Sequence, residues 1–285
     1  MKSNTIAVAG STGFIAGELI KNLKEHQIIK LKRDDFSLND EQIASKIKDA
    51  DIIINLAGSP IIKRWTRANK KEIYNSRIIT TSKLVNAISL LKKDIHLINT
   101  SAIGIYSEQN IHDEESMSYS SGFICDLIKD WEQEAMKLPQ SCNNLTIMRI
   151  GIVLTKQSGL LNKMYPMFKI GLGGKIGSGN QWMSFIHIED LVNSIKFIIQ
   201  NKITGIVNIT TPRFIINKEF TYILSRLMKR PAFITIPVSL LKLIYGEGSS
   251  IICSSHRILP KRLLNMGFEF KYPDIKSALK DLIVH

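Results

Sequence analysis

Apolar residues fall in short runs separated by stretches with helical spacing. A first run, Ile6-Ala7-Val8-Ala9, ends on a glycine turn, and a second contains Ile28, Ile29 and Leu31. Runs at 52–56, 95–99 and 145–150 follow, with helical patterns over 68–91 and 121–136 between them. Strand and helix therefore alternate through the first 150 residues, which predicts a parallel sheet with right-handed crossovers and helices on both faces. A ligand of such a sheet lies beyond the carboxyl ends of the strands. After Ile150 the alternation weakens. A glycine-rich stretch, 171–179, precedes Trp182 and Phe185 and reads as a functional loop rather than a linker. A helix over 189–200 and a strand over 206–209 return to the main sheet, and Pro231, Pro237, Pro260 and Pro273 punctuate short helices beyond it. The pattern divides the chain into a sheet domain, 1–150 with 182–212 returning to it, and a smaller cap domain made of 151–181 and 213–285.

The junction after the first run carries the most chemistry. Gly10-Ser11-Thr12-Gly13-Phe14-Ile15-Ala16 follows a buried strand and opens a helix, the place where a parallel sheet holds a dinucleotide. Gly10 allows a tight turn, Gly13 lets the backbone approach a pyrophosphate, and Ala16 lets helix and strand pack closely, with phosphate charge at the helix N-terminus. The spacing is Gly-x-x-Gly-x-x-Ala, and a glycine turn with no ligand shows the same pattern. The second strand ends in Lys32-Arg33, where an NAD-binding chain places an acid for the ribose hydroxyls. A guanidinium pairs with a 2′-phosphate through two hydrogen bonds, which favours NADP over NAD. Asp34 and Asp35 are the acids that oppose this reading, and a solvated basic pair is the alternative.

With 285 residues and 44% hydrophobic content the chain builds a sizeable core. No apolar run reaches the roughly 18 residues of a membrane span, and the amino terminus enters the first strand without a signal-peptide pattern, so a cytoplasmic protein with no membrane partner is expected. Cys125, Cys142 and Cys253 are widely spaced and form no CxxC pair, so neither a disulfide framework nor a zinc site is suggested. The net charge of +13 raises nucleic-acid binding, but the charges are scattered and no zinc-finger or RNA-binding signature is present, so no nucleic-acid partner is expected. The densest group, Lys63, Arg64, Arg67, Lys70 and Lys71, reads as a solvated helix face or a lure for an anionic substrate.

Taken together, Gly10, Gly13, Phe14 and Ile15, Asn55-Leu56-Ala57-Gly58, Arg64-Trp65, Ser76-Arg77 and Ser101-Ala102-Ile103-Gly104-Ile105-Tyr106 form a recognisable series. Trp131-Glu132, Arg149-Ile150-Gly151, the Gly173 to Trp182 loop, His187 and Asp190 continue it. The chain resembles the extended short-chain dehydrogenase/reductase superfamily, in its atypical sugar-nucleotide epimerase-like branch, and 257–270 looks like that branch's short accessory domain. The resemblance implies a Rossmann-type doubly wound α/β fold with a small C-terminal substrate or cap domain, and NADP(H) as cofactor. It implies that Gly10, Ser11, Thr12, Gly13, Phe14 and Ile15 line the pyrophosphate. Lys32 and Arg33 would meet the adenosine end, Leu56, Ala57 and Gly58 the adenine and ribose edge, and Ser101 the nicotinamide. It further implies a small-molecule substrate, with a nucleotide sugar as one candidate, and a homodimer formed through the helices at 68–91 and 121–136. His187 and Asp190 are read as fixing a loop and capping a helix. Trp65, Trp131 and Trp182 are read as packing, with Trp182 also a candidate floor for a substrate pocket.

Ordinary members of that superfamily use a Tyr-x-x-x-Lys pair, in which lysine lowers the tyrosine pKa for proton transfer. The best alignment puts Phe123 and Leu127 at those positions, and neither exchanges a proton. Tyr165 with Lys169 and Tyr272 with Lys276 match literally but lie outside the expected helix, each tyrosine preceding a proline. Substitute acids are Tyr106, Asp126 and Lys129; Ser101 and Tyr106 are the catalytic candidates, with packing as the alternative for Tyr106. Two functions remain: an NADP(H)-binding oxidoreductase or epimerase-like enzyme, and a non-catalytic NADPH-sensing or structural nucleotide-binding protein.

Overall fold

The computed structural model describes residues 3–139 and 144–284, and Cys142 lies outside the described residues. Six strands form the main sheet: β1 (Thr5–Ala9), β2 (Gln27–Leu31), β3 (Ile52–Asn55), β4 (His96–Ala102), β5 (Leu145–Ile150) and β6 (Gly205–Ile209). Their spatial order is β2-β1-β3-β4-β5-β6, with every neighbouring pair parallel. The order reverses between β1 and β3, and ligands of doubly wound sheets bind at such a switch point. Register matters here. Ala9 stands opposite both Leu31 and Asn55, so β1, β2 and β3 end at one level, while β4, with Asn99 opposite Asn55, runs on to Ala102.

Both faces of the sheet are buried, which is why the strands read as continuous apolar runs. Ile6, Val8, Ile54 and Ile98 pack on the side of α1 (Phe14–Lys21), and Ile195 of the later helix Ile188–Asn201 joins the same layer. Ala7, Ala9, Ile53 and Leu97 face α2 (Asp40–Ile47) and α3 (Arg67–Leu91). Helix α2 has no counterpart among the periodic stretches singled out in the sequence. It is short and buries only Ile43, Ala44 and Ile47, and its start is made by a reciprocal cap between Asn39 and Gln42. The stretches at 68–91, 121–136 and 189–200 form α3, α4 (Phe123–Met136) and, after α5 (Gly159–Lys169), α6 (Ile188–Asn201).

The outer edge of β6 is closed by side chains rather than by another strand. Arg262 donates to the carbonyls of Thr204 and Ile206 at 2.7 and 2.8 Å, and Glu114 accepts from the Asn208 amide at 3.0 Å. Such covering satisfies an edge that would otherwise pair with another chain. Leu263 and Phe268 join the core beneath the main sheet, so this part of 213–285 packs on the sheet while the closing helix Ile275–Val284 packs on α7 (Asn217–Met228).

The glycine-rich stretch forms part of that second core. Gly174–Ile176 pairs in parallel with Ile234–Ile236, and a Cβ at Gly174 would lie 2.0 Å from the Ile234 carbonyl oxygen. A Cβ at Gly173 would enter the Phe168 ring at 2.4 Å. These two glycines are explained by close packing, which sequence spacing does not distinguish from a ligand loop. His187 accepts the Glu189 amide at the start of α6, and Asp190 accepts the amides of Lys271 and Tyr272 at 2.9 Å each. Both therefore act as loop and cap residues.

Two histidines make stability depend on acidity. Burial depresses His96 and His256 to about 4, with the nearby His112 adding to the effect at His256. Both stay neutral in the fold, whereas the unfolded chain takes up protons below about pH 6.5. Their stabilising effect is thus complete above that pH and is lost as pH falls toward 4. Chemical denaturation should show up to about 1.4 kcal/mol lost per pH unit for each histidine in that window. A profile unchanged by His96→Gln and His256→Gln would exclude these two residues as its source.

Candidate active site

A cleft of about 420 Å³ opens at the switch point, bounded by Gly10, Thr12 and Gly13 after β1 and by Leu56, Ala57 and Gly58 after β3. Arg33, Phe36 and Ser37 close one end, and Asn75, Ser76 and Ile79 of α3 form a wall. Gly10 is required for two reasons. Its φ is +73°, and a Cβ there would lie 2.8 Å from the Ala57 Cα. Gly13 precedes α1 in extended conformation, with no side-chain cap and no acid in the first helical turn. The opening amides of α1 thus remain suited to an anion, favoured also by the helix dipole.

The basic end of β2 is divided between two jobs. Arg33 reaches the cleft with a side chain 78% exposed, 3.9 Å from Glu72. Asp35 instead accepts the Lys32 amide at 2.6 Å and pairs with Lys46. Burial pushes the Asp35 carboxyl up, but Lys46 and the Lys32 amide outweigh it and hold the pKa below the usual value. This acid is engaged by its own turn. Around the turn, the side chains of Ser11, Phe14, Ile15 and Lys32 lie outside the cleft wall, which leaves the backbone amides of Phe14 and Ile15, at the start of α1, as the groups among these that would meet a pyrophosphate. Ser11 donates to the Leu31 carbonyl at 3.1 Å, Phe14 lines a separate hollow beside Glu18, and Ile15 packs on the main core. Successive side chains of a turn entering a helix point in different directions, so contiguous residues do not share one wall.

At the end of β4, Ser101 and Tyr106 belong to a buried network. Ser101 donates to Glu132 of α4 at 2.5 Å; Arg149 of β5 grips the same carboxylate at 2.8 and 2.7 Å. Arg149 also donates to the Tyr106 oxygen at 2.9 Å, and Tyr106 donates to Asn208 at 2.9 Å. Tyr106 is 0% exposed, and burial raises its phenol pKa despite the opposing pull of Arg149. Its hydroxyl is thus engaged by Arg149 of β5 and Asn208 of β6, the hydrogen-bonded packing that stood as the alternative to a catalytic role. Ser101, 3% exposed, is likewise held by Glu132. Spacing near these residues carries no sign of partners on distant strands.

At the two expected relay positions, Phe123 packs edge-on against Trp65 with ring centroids 5.2 Å apart, and Leu127 is buried in the cluster with Trp65 and Ile73. Asp126 is exposed, while the Lys129 ammonium sits 5.6 Å from the Tyr119 ring. Tyr272 bonds Glu189 and Asp281 in the smaller core, away from α4.

The spacing of Arg77 gives it no role, yet this residue fixes the loop after β3. It donates to the Ile73 carbonyl at 3.0 Å and the Ser59 carbonyl at 3.3 Å, and lies 5.2 Å from the Trp131 ring. Ser76 accepts the Ser59 amide at 3.0 Å. Burial lowers the Arg77 pKa to about 10, and no acidic partner meets it among the described residues. A Cβ on Gly58 would stand 3.1 Å from its guanidinium, so the glycine allows that cation to approach the cleft loop. The pairing Ser76-Arg77 in sequence is the available signal, but only the fold shows what it touches. Among the described residues no cluster of metal-ligating side chains occurs, and no helix is long and apolar enough to cross a membrane.

Residues 6–210 match the model of the NAD dependent epimerase/dehydratase family, and 236–282 match a domain of unknown function, DUF1731. An Arabidopsis thaliana protein called epimerase family protein SDR39U1 homolog, chloroplastic, is 34% identical over 98% of this chain and 86% of its own length. An epimerase family protein of Staphylococcus haemolyticus is 34% identical over 97% of this chain and 98% of its own. The crystal structure of human epimerase family protein SDR39U1 with NADPH superposes with a TM-score of 0.88 at 25% identity, covering 99% of both chains. The switch-point cleft, the glycine turn that shapes it and the near end-to-end match to these relatives agree: this chain belongs to the NAD dependent epimerase/dehydratase family.

Proposed function

We propose that the chain binds NADP(H) in the switch-point cleft and acts on a small molecule as an oxidoreductase or epimerase-like enzyme. The observation that carries this reading is the division of labour after β2: Arg33 reaches the cleft while Asp35 is tied to Lys46 and the Lys32 amide. The residues present fit the cofactor. The uncapped start of α1 suits a pyrophosphate, Gly10 keeps the turn tight, and Arg33 suits a 2′-phosphate. Leu56, Ala57 and Gly58 form the opposite wall, with Arg77 holding their loop. A bound nicotinamide supplies or accepts hydride. Ser101, Glu132, Arg149 and Tyr106 act as a positioning scaffold that fixes the end of β4.

Calorimetric titration with NADPH and NADH tests the cofactor assignment. NADPH should bind more tightly, and Arg33→Ala should weaken it by about tenfold to a hundredfold, the loss expected for charge-assisted hydrogen bonds. Equal affinity for both nucleotides in the unaltered chain would remove the role given to Arg33.

A second reading, a protein that holds NADPH to sense it or for structure, is favoured by the apolar packing of Phe123 and Leu127 against Trp65. Absorbance at about 340 nm, followed with carbonyl compounds and nucleotide sugars, separates the two. Turnover supports the enzyme; nucleotide binding without turnover across the panel favours the sensor.

A further inference from the structure

On the smaller core, well separated in the chain from the glycine turn, α7 and the strand pair Gly174–Ile176 with Ile234–Ile236 frame a second groove of about 720 Å³. Its walls carry Lys175, Lys218, Arg226, Lys229 and Arg230 and no acidic residue. None of these five side chains makes a salt bridge or hydrogen bond among the described residues. Lys218, Arg226 and Lys229 follow one face of α7 and its C-terminal cap over about 16 Å, taking 1.5 Å per residue. Like charges gathered along one helix face repel each other.

The helix dipole accounts for part of the arrangement. Arg226, Lys229 and Arg230 stand near the C-terminal end of α7, where cations are favoured, but Lys218 stands in its first turn, where they are not. Lys175 comes from a separate strand. Gly179 brings these two together: a Cβ there would lie 2.8 Å from the Lys218 Cβ and 3.3 Å from the Lys175 Cδ. A second observation points to a ligand. Thr221 lines the same groove, is 3% exposed, and its buried hydroxyl has no hydrogen-bond partner. Buried hydroxyls are ordinarily satisfied.

We propose that this groove is a binding site for a phosphate-bearing anion with several negative charges, distinct from the cofactor cleft. The cations neutralise the phosphates and the Thr221 hydroxyl donates to one of their oxygens. At the rim, Tyr222 is 64% and Phe233 94% exposed, offering flat apolar surface to whatever the phosphates are attached to. The groove's volume falls within the roughly 300–1,000 Å³ range of small-molecule sites.

The test uses the full chain saturated with NADPH, so that the cofactor cleft is filled. Tripolyphosphate is titrated calorimetrically, and sedimentation with phosphatidylglycerol vesicles is measured in parallel. Tripolyphosphate should bind, weaken by about tenfold in Lys218→Ala/Arg226→Ala, and bind Arg33→Ala as it binds the unaltered chain. Because these cations are unpaired, the double variant is expected to fold with unchanged or slightly raised thermal stability. Vesicle binding without tripolyphosphate binding, abolished by both the double variant and Phe233→Ser, would support the site with a lipid headgroup as the phosphate source. No binding in either arm, or binding undiminished by the double variant, would overturn the proposal. Loss of tripolyphosphate binding in Arg33→Ala would also overturn it, by assigning the anion to the cofactor cleft.

Discussion

Arg149→Met is expected to lower unfolding free energy by about 3–5 kcal/mol, the cost of leaving one partner of a buried ion pair uncompensated. Arg149 is 1% exposed and Glu132 4%, so their two-point contact is shielded from solvent. Tyr106 loses a donor in the same change. Arg149→Met/Glu132→Leu should recover much of the loss, since apolar replacement removes both desolvated charges. Urea denaturation of the single and double variants measures the difference. A single-variant loss below about 1 kcal/mol would show that the network does not hold the sheet together. The pair joins β5 to α4, and through Ser101 and Tyr106 it also reaches β4 and β6, so its loss should loosen the sheet end beside the cofactor cleft.

Gly10→Val should reduce NADPH affinity on the order of a hundredfold and lower the melting temperature by several degrees. The valine would have to adopt a φ of +73°, which is strained for a β-branched residue, and its Cβ would strike the Ala57 Cα at 2.8 Å and the Leu56 carbonyl at 2.9 Å. Both obstacles are backbone, so relief requires β1 and β3 to shift apart where the cleft opens. Gly17→Ala is the matched control on the neighbouring helix, because a Cβ there meets nothing within 4 Å. Replacing an interior helical glycine by alanine is worth up to about 1 kcal/mol of added stability. Calorimetry on the folded variants checks the pair of predictions. Unchanged NADPH affinity in Gly10→Val would dissociate the turn from nucleotide binding.

Much of this molecule is legible along the chain. The apolar runs correspond to β1 through β6, and the stretches at 68–91, 121–136 and 189–200 to helices whose bounds differ by at most two residues. The glycine turn and Arg33 are also visible, because each depends on backbone conformation or on position relative to a strand end. Helix α2 is not, because its apolar face is only three residues wide. Gly173 and Gly174 read as part of a functional loop because close packing and ligand approach demand the same absence of a Cβ.

Sequence alone determined the alternation of strand and helix, the burial of both sheet faces and the turn at the end of β1, since these follow from periodicity and local backbone sterics. Tertiary structure decided which side chains meet. It brought Ser101, Glu132, Arg149, Tyr106 and Asn208 from five elements or loops into one buried network, and it set Arg77 against the loop of Gly58. It also placed Lys175 beside Lys218 across Gly179. Charge pairing and hydrogen bonding act through a few ångströms of space, whereas the residues they join here are separated by tens to a hundred positions of chain, so no local pattern encodes the pairing.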